Sequence, residues 1–240
     1  MKKFFVGVHH TDWLAHIRGC VSVARLSRRK SLKAGEWMID SAAFGDLAKK
    51  GEHRSVESYA ETIDRLKGFG DLAAAASQDF ICDPYVRSKT GLSVEASISQ
   101  TVGRFVRLRE ATDAPLMPIL QGWTVADYRR CLAAYGDILK PGEWVGVGSL
   151  VSRSRRAGTI RDILAEVKSL RGDLRLHGFG LGLMSLNDAA VRGLLFSADS
   201  MAWSYAARRE GRDSNSLDEA RRYAEAIEAK CRRESQGMLF

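Results

Sequence analysis

The chain has 240 residues, 45 % of them apolar, and a formal net charge of +8. That length and apolar share exclude global disorder and allow one sizeable core. No apolar run nears the roughly 18 residues that a bilayer span requires, and the positive balance favours a polyanionic partner, because lysine and arginine gain by releasing counterions from a phosphate backbone.

Taken in chain order, strand-length apolar runs alternate with helix-length amphipathic ones. The start, Met1-Lys2-Lys3-Phe4-Phe5-Val6-Gly7-Val8, is cut too soon by His9-His10 to serve as a secretory leader, so a cytoplasmic protein is expected. Phe4–Val8 reads as the first strand. Trp37–Ile39, part of Leu72–Ile81, Leu116–Leu120, Trp144–Val147, Leu174–Phe179 and Leu194–Ala198 follow, and Val21–Leu26 is the candidate for an eighth. Helical periodicity covers roughly 55–68, 94–111, 124–139, 157–171 and 184–192. A charged helix at 214–236, with Leu217, Ala220, Tyr223, Ala224 and Ile227 on one face, is expected to pack on the exterior. Strands alternating with helices imply parallel pairing. The pattern predicts a compact α/β fold, a TIM-type (β/α)8 barrel in a single domain over 1–240; an open doubly wound sheet is the alternative. Cys20, Cys82, Cys131 and Cys231 form no Cys-x-x-Cys pair, so free, mostly buried thiols are expected.

Nearly every predicted strand runs into polar or glycine residues. The first ends in His9-His10-Thr11-Asp12, the next in Asp40-Ser41-Ala42-Ala43-Phe44, and the third runs into Gln78-Asp79 and on to Asp83. Gln121-Gly122-Trp123, Gly146-Val147-Gly148-Ser149, His177-Gly178-Phe179-Gly180 and Asp199-Ser200-Met201 end the others. In a barrel these ends converge on one face, which holds the active site. Asp40 and Asp199 each follow an apolar strand directly. Either is equally readable as a helix cap, but a pair on one face permits glycosidic chemistry, one carboxylate attacking an anomeric carbon and the other moving a proton. The glycines Gly146, Gly148, Gly178 and Gly180 are readable as tight turns or as places where backbone N–H groups meet a flat ligand.

At these residues the sequence resembles the tRNA-guanine transglycosylase superfamily, and more closely its DNA-modifying branch, the DpdA-type deazapurine DNA transglycosylases. The likeness rests on Met38-Ile39-Asp40-Ser41-Ala42-Ala43-Phe44 (similar to the family's Asp-Ser-Gly-Gly-Phe), Met117–Trp123, Trp144–Ser149, Leu176–Gly180 and Ser197–Ser204. Each motif is weak alone; five in order are fairly specific. The resemblance implies replacement of guanine in DNA by a 7-deazaguanine such as preQ0. Asp199 would be the nucleophile and Asp40 the general acid/base. Gln121 and the backbone of Gly146, Val147 and Gly148 would read the base edge, with Asp83, or its rival Asp79, as the acidic reader. His177, Gly178 and Phe179 would lie against the base, with His9, His10, Ser41, Phe44, Trp123 and Ser200 lining the rest of the pocket.

Two departures stand out. The Cys-x-Cys-x-x-Cys…His zinc site of the tRNA enzymes has no counterpart after Asp199, so neither a zinc subdomain nor any other cofactor or metal is expected, and tRNA is the weaker substrate reading. Ala42-Ala43 stands where the family has Gly-Gly. Basic clusters at Arg28, Arg29 and Lys30, and at Arg153, Arg155 and Arg156, are expected to meet the nucleic-acid backbone. The expected partners are DNA and a deazaguanine base, with no membrane; partner proteins and a homo-oligomer stay open. The rivals are the same exchange on tRNA, hydrolytic base removal, and a non-catalytic nucleic-acid-binding barrel.

Overall fold

In the computed structural model, which describes residues 1–153 and 156–237, nine short strands lie parallel in one sheet. They are β1 (Lys3–Gly7), β2 (Gly19–Ser22), β3 (Glu36–Asp40), β4 (Asp71–Ala76), β5 (Leu116–Met117), β6 (Ile119–Leu120), β7 (Trp144–Val147), β8 (Arg175–Gly178) and β9 (Ser197–Ser200). Their neighbour order is β5-β4-β3-β2-β1-β9-β8-β7-β6. The two ends of that order, β5 and β6, are separated in the chain only by Pro118. Proline has no N–H to give, but the carbonyls beside the break are taken from both sides: Ser77 N–H donates to Met117 O at 2.9 Å and Gly146 N–H to Pro118 O at 2.9 Å. With β5 and β6 counted as one interrupted strand, the nine segments fill eight positions and the sheet closes into a TIM-type barrel.

Helices α1 (Ala43–Lys50), α2 (Val56–Leu66), α3 (Pro84–Thr90), α4 (Val94–Ala111), α5 (Val125–Tyr135), α6 (Ala157–Leu170), α7 (Leu183–Leu186), α8 (Ala189–Leu194), α9 (Ala202–Arg209) and α10 (Leu217–Gly237) surround it. α10 lays Ala220 and Ile227 into the main outer core beside Phe4. No helix among the described residues is long and apolar enough to cross a membrane.

The expected eighth strand sits earlier than Val21–Leu26. β2 stops at Ser22, and Val23–Arg25 forms a 3-10 turn. That turn puts Val23 and Leu26, three residues apart, on one face, and both are fully buried. Another 3-10 turn, Thr11–Ala15, joins β1 to β2, so this side of the barrel has no covering α-helix between successive strands. The last strand is later than Leu194–Ala198, because α8 extends through Leu194 and leaves Asp199 inside β9. The helix expected at 184–192 is two, α7 and α8, because the Asp188 carboxylate caps α8 by accepting from the Ala190 and Val191 amides.

Alternation along the strands sorts the side chains. Phe5, Cys20, Met38, Ala74, Ala76, Met117 and Ile119 pack together inside the barrel. Two residues below Phe5, Cys20 and Met38, the side chains of Lys3, Arg18 and Glu36 form an ion-paired group, with Arg18 Nε donating to Glu36 at 2.7 Å. Charges therefore close the N-terminal end of the barrel. Two residues above the same layer lie the groups described next.

Candidate active site

Asp199 follows Ser197, whose side chain lies inside the barrel, by two residues. Its Oδ1 accepts from the Gly180 amide at 3.0 Å and is 3.2 Å from His177 Nε2. Gly180 can aim its N–H there because it turns with φ +66°, where an L side chain is strained. The Gly180 N–H thus holds Oδ1 in place, with the His177 ring nitrogen within hydrogen-bond reach of the same atom. Oδ2 has no hydrogen-bond partner among the described residues, and the side chain keeps 14 % of its exposure, so one oxygen is held and the other is free.

Asp40 stands two residues above Met38 at the end of β3. Its Oδ2 accepts the Ala42 N–H at 3.1 Å. Ala42 adopts φ +64° to make that contact, a left-handed geometry costing an alanine about 1–2 kcal/mol. Ala42, the first of the two alanines that replace the resembled glycines, therefore keeps a conformation that glycine favours, while Ala43 opens α1. Burial pushes the Asp40 carboxyl up to about 7, and the negative charges of Asp199 and Asp79 add to the push. The same two aspartates, Asp199 and Asp40, act on the buried Cys20 thiol beneath them, which burial already raises well above its ordinary value. Asp40 thus shares one electrostatic site with Asp199. A cleft of about 390 Å³ reaches Asp40 from outside, past Ser22, Ala42, Phe44, Lys49 and Lys50.

A third carboxylate, Asp79, follows β4. Burial raises it to about 6, against the opposing hydrogen bond from Gln121. Gln121 Nε2 donates to Asp79 Oδ2, while Gln121 Oε1 accepts from Ser149 Oγ at 2.6 Å and from the Cys82 amide at 3.2 Å. His53, which burial pushes down to about 4, has Nε2 2.9 Å from the Asp79 carbonyl. Ser149, like Ala42, is a non-glycine residue at positive φ, 55°. The described residues with that geometry, apart from glycines, are these two, and both bear on the carboxylates.

The other expected residues divide. Gln121 is fully buried with its amide engaged on both sides, so it sets Asp79 in place instead of facing a ligand. Asp83 accepts from the Tyr85 amide at 2.8 Å as the cap of α3, which leaves Asp79 as the carboxylate of the mouth. The Gly146 and Gly148 amides donate to Pro118 and Leu120 in the barrel ladder and are not offered to a ligand. What these glycines provide is room. A Cβ on Gly146 would sit 2.3 Å from the Phe179 ring, and one on Gly148 would sit 2.2 Å from Gln121 Nε2. Val147 points outward into the main core. Gly178 also faces out, toward Leu181. Phe179, half-buried, packs edge-on to His177 at 4.6 Å.

Ser200 faces away from the barrel interior, where its hydroxyl accepts from the Ala202 amide. Ser41 is buried. Phe44 is 60 % exposed at the cleft, its ring 6.4 Å from that of Tyr85 and tilted by 24° to it. His9 and His10 lie to one side, bonded to Ser204 and Asn215. Arg28, Arg29 and Lys30 are exposed on the crossover from β2 to β3. Arg153 is not available to a phosphate: it is buried, its guanidinium lies 3.9 Å from the centre of the Trp123 ring, and it donates to the Trp123 carbonyl. Arg156 is exposed, and Arg155 lies outside the described residues. Sequence reading gave Gly180 an amide for a ligand where the structure turns that amide onto Asp199, and it passed over Ser197, Trp144 and Ser149 as site residues. Their one signal was position, each at or near a strand end whose alternate residues point inward.

A closed parallel barrel that gathers one buried and two half-buried carboxylates at its C-terminal strand ends has the layout of a (β/α)8 enzyme. The family model for DpdA, DeoxyPurine in DNA protein A, matches residues 1–231, and the chain belongs to that family. It is an enzyme of deazapurine DNA modification, and DNA is its substrate. No curated protein matches the chain.

Proposed function

We propose that this enzyme is a DNA guanine transglycosylase, exchanging guanine for a 7-deazaguanine base through a covalent aspartyl-nucleoside. The observation that carries the reading is the unequal carboxylate pair: Asp199 with one oxygen pinned and the other free, and, three strand positions away at the same mouth, Asp40 with a carboxyl raised to about 7.

Asp199 Oδ2 attacks C1′ of the target nucleotide. The C1′–N9 bond breaks as the C1′–O bond forms, and Asp40 gives its proton to the departing guanine, which leaves neutral. A purine anion leaves poorly, so an acid poised near neutrality fits this step. The incoming deazaguanine then loses its N9 proton to the Asp40 carboxylate and attacks C1′, and Asp199 departs as the carboxylate. The covalent intermediate keeps the glycosidic bond energy for the second base. Asp79, set by Gln121, is the acidic reader of the base edge. The target must leave its stack, at a cost of a few kcal/mol offset by pocket contacts. Exposed Phe44, Lys49 and Lys50 at the cleft are placed to meet the strand. Arg28, Arg29 and Lys30 carry the backbone beyond it.

Labelled preQ0 offered with DNA or with tRNA tests the reading. The label is expected in DNA alone, and label in tRNA or abasic sites without label would select a rival. Asp199→Asn is expected to lower incorporation by more than about 10³-fold while DNA binding persists; retained exchange removes Asp199 from the nucleophile role.

A further inference from the structure

We propose that His177 is a positioning residue for Asp199, held in one neutral tautomer by a buried relay from Trp144 through Ser197; the proposal rests on the transglycosylase reading above. The His177 ring is fully buried and boxed edge-on by Phe5, Trp144 and Phe179. Its Nδ1 is 2.9 Å from Ser197 Oγ, and its Nε2 is 3.2 Å from Asp199 Oδ1. The indole Nε1–H of Trp144 donates to the same Ser197 Oγ at 2.8 Å.

Counting protons orders this chain. An indole N–H only donates, a hydroxyl has one proton, and an ionised carboxylate only accepts. With Asp199 ionised, Nε2 must carry hydrogen. Nδ1 of the neutral ring is then an acceptor, and Ser197 O–H supplies it. Each proton has one acceptor: Trp144 N–H to Ser197 Oγ, Ser197 O–H to His177 Nδ1, His177 Nε2–H to Asp199 Oδ1. The other tautomer would set a bare Nε2 lone pair against a carboxylate and leave the Ser197 proton without an acceptor in a buried interior, which is costly.

The consequence is specific to a nucleophile. A lysine or arginine would orient Asp199 by ion pairing and blunt its attack. A neutral N–H, with the Gly180 amide, fixes Oδ1 while leaving the charge available on Oδ2. When Oδ2 becomes the ester oxygen, the same two donors face the new carbonyl oxygen.

Three variants and one spectrum test this. His177→Phe keeps the ring volume and removes both nitrogens; it is expected to lower kcat by about 10- to 100-fold, the usual cost of losing an orienting partner, with KM little changed. His177→Gln, which restores a donor, is expected to recover part of the loss. Ser197→Ala, which leaves the ring in place, is expected to lower kcat by a smaller factor. The spectrum is the imidazole ¹⁵N resonances of wild-type protein, expected to show hydrogen on Nε2 and to lose that preference in Ser197→Ala. A folded His177→Phe enzyme with wild-type kcat, equal losses in kcat and in melting temperature for Phe and Gln alike, or an imidazole protonated on Nδ1 overturns the proposal. Should wild-type protein insert no base, the transglycosylase reading fails, and the ¹⁵N spectrum still decides the relay.

Discussion

Asp199 and Asp40 stand three strand positions apart in one barrel, and the walls behind them are built differently. Behind Asp199 the interior is aromatic and hydrogen-bonded: Phe5, Trp144, His177 and Phe179, with Ser197 threaded between. Behind Asp40 it is small and apolar: Cys20, Met38, Ala74 and Ala76. The first wall supplies donors from another strand and another loop. The second supplies one amide, from two residues along the same chain. The same side chain therefore receives two different settings from surroundings alone, one with an oxygen pinned from another strand and loop, the other with a carboxyl that burial raises to about 7.

The widest break in this comparison comes from Asp40→Asn. Removing the acid and base is expected to lower exchange by about 10²- to 10⁴-fold. In wild-type protein, guanine release is expected to fall as pH rises through about 7, because the protonated form disappears there. The sign for stability follows from the same shift. The folded state holds this proton more tightly than the unfolded chain, so the Asp40 contribution is complete below the ordinary carboxylate value of 3.8 and is lost as pH climbs through about 7. Asp40→Asn should then be more stable than wild type above about pH 8, by on the order of 1–3 kcal/mol after allowing for water in the cleft, with the gain closing toward acid. Denaturant melts at two pH values check it; an equal gain at both would remove charge from the explanation.

Gly148→Ala sharpens the comparison on the third carboxylate. The new methyl would meet Gln121 Nε2 at 2.2 Å and Cδ at 2.8 Å, so the amide that sets Asp79 must move. Overpacking of this kind costs about 1–3 kcal/mol. If Asp79 reads the base, KM for the base is expected to rise about tenfold, a loss of roughly 1.4 kcal/mol in binding, with a smaller change in kcat. Gly103→Ala, where a Cβ meets nothing within 4 Å, is the control and should leave both constants alone. Unchanged KM in Gly148→Ala would take base reading away from the Gln121–Asp79 pair.

The mouth was legible in the sequence because buried parallel strands read as continuous apolar runs, and their polar endings brought Asp40, Asp79, His177 and Asp199 to one face. What the sequence withheld was non-local. Gly146 and Gly148 announce that a side chain is missing, but not that Phe179 and Gln121 occupy the space. An arginine run reads as surface until Trp123, 30 positions earlier, claims Arg153. The relay joins Trp144 to Ser197, 53 positions apart, through a serine with no local signature. Polar strand endings also misled, since Asp83 reads like Asp40 but caps a helix. The two missing crossover helices beside β2 left no periodicity to find.

The mildest effect concerns the approach to the two walls. The crossover from β2 to β3 is pinned from below, where Arg65 donates to the carbonyls of Leu26, Ser27 and Arg29, so Arg28, Arg29 and Lys30 project from a fixed backbone. Arg29 is also 3.9 Å from Asp12, an exposed pair that contributes little. Across the barrel, Arg153 is committed to Trp123. The DNA backbone is therefore expected to run along the side that carries Asp40. Replacing Arg28, Arg29 and Lys30 together by alanine should weaken DNA binding and flatten the slope of log affinity against log salt by about 2–3, one unit for each phosphate no longer neutralised. Arg153→Ala should leave that slope unchanged and lower the melting temperature, because it removes a guanidinium stacked on an indole, away from any phosphate. Were Arg153→Ala to change the slope and the triple variant to leave it alone, the strand would have to enter over the aromatic wall, and Asp199, not Asp40, would be the carboxylate nearest the incoming backbone.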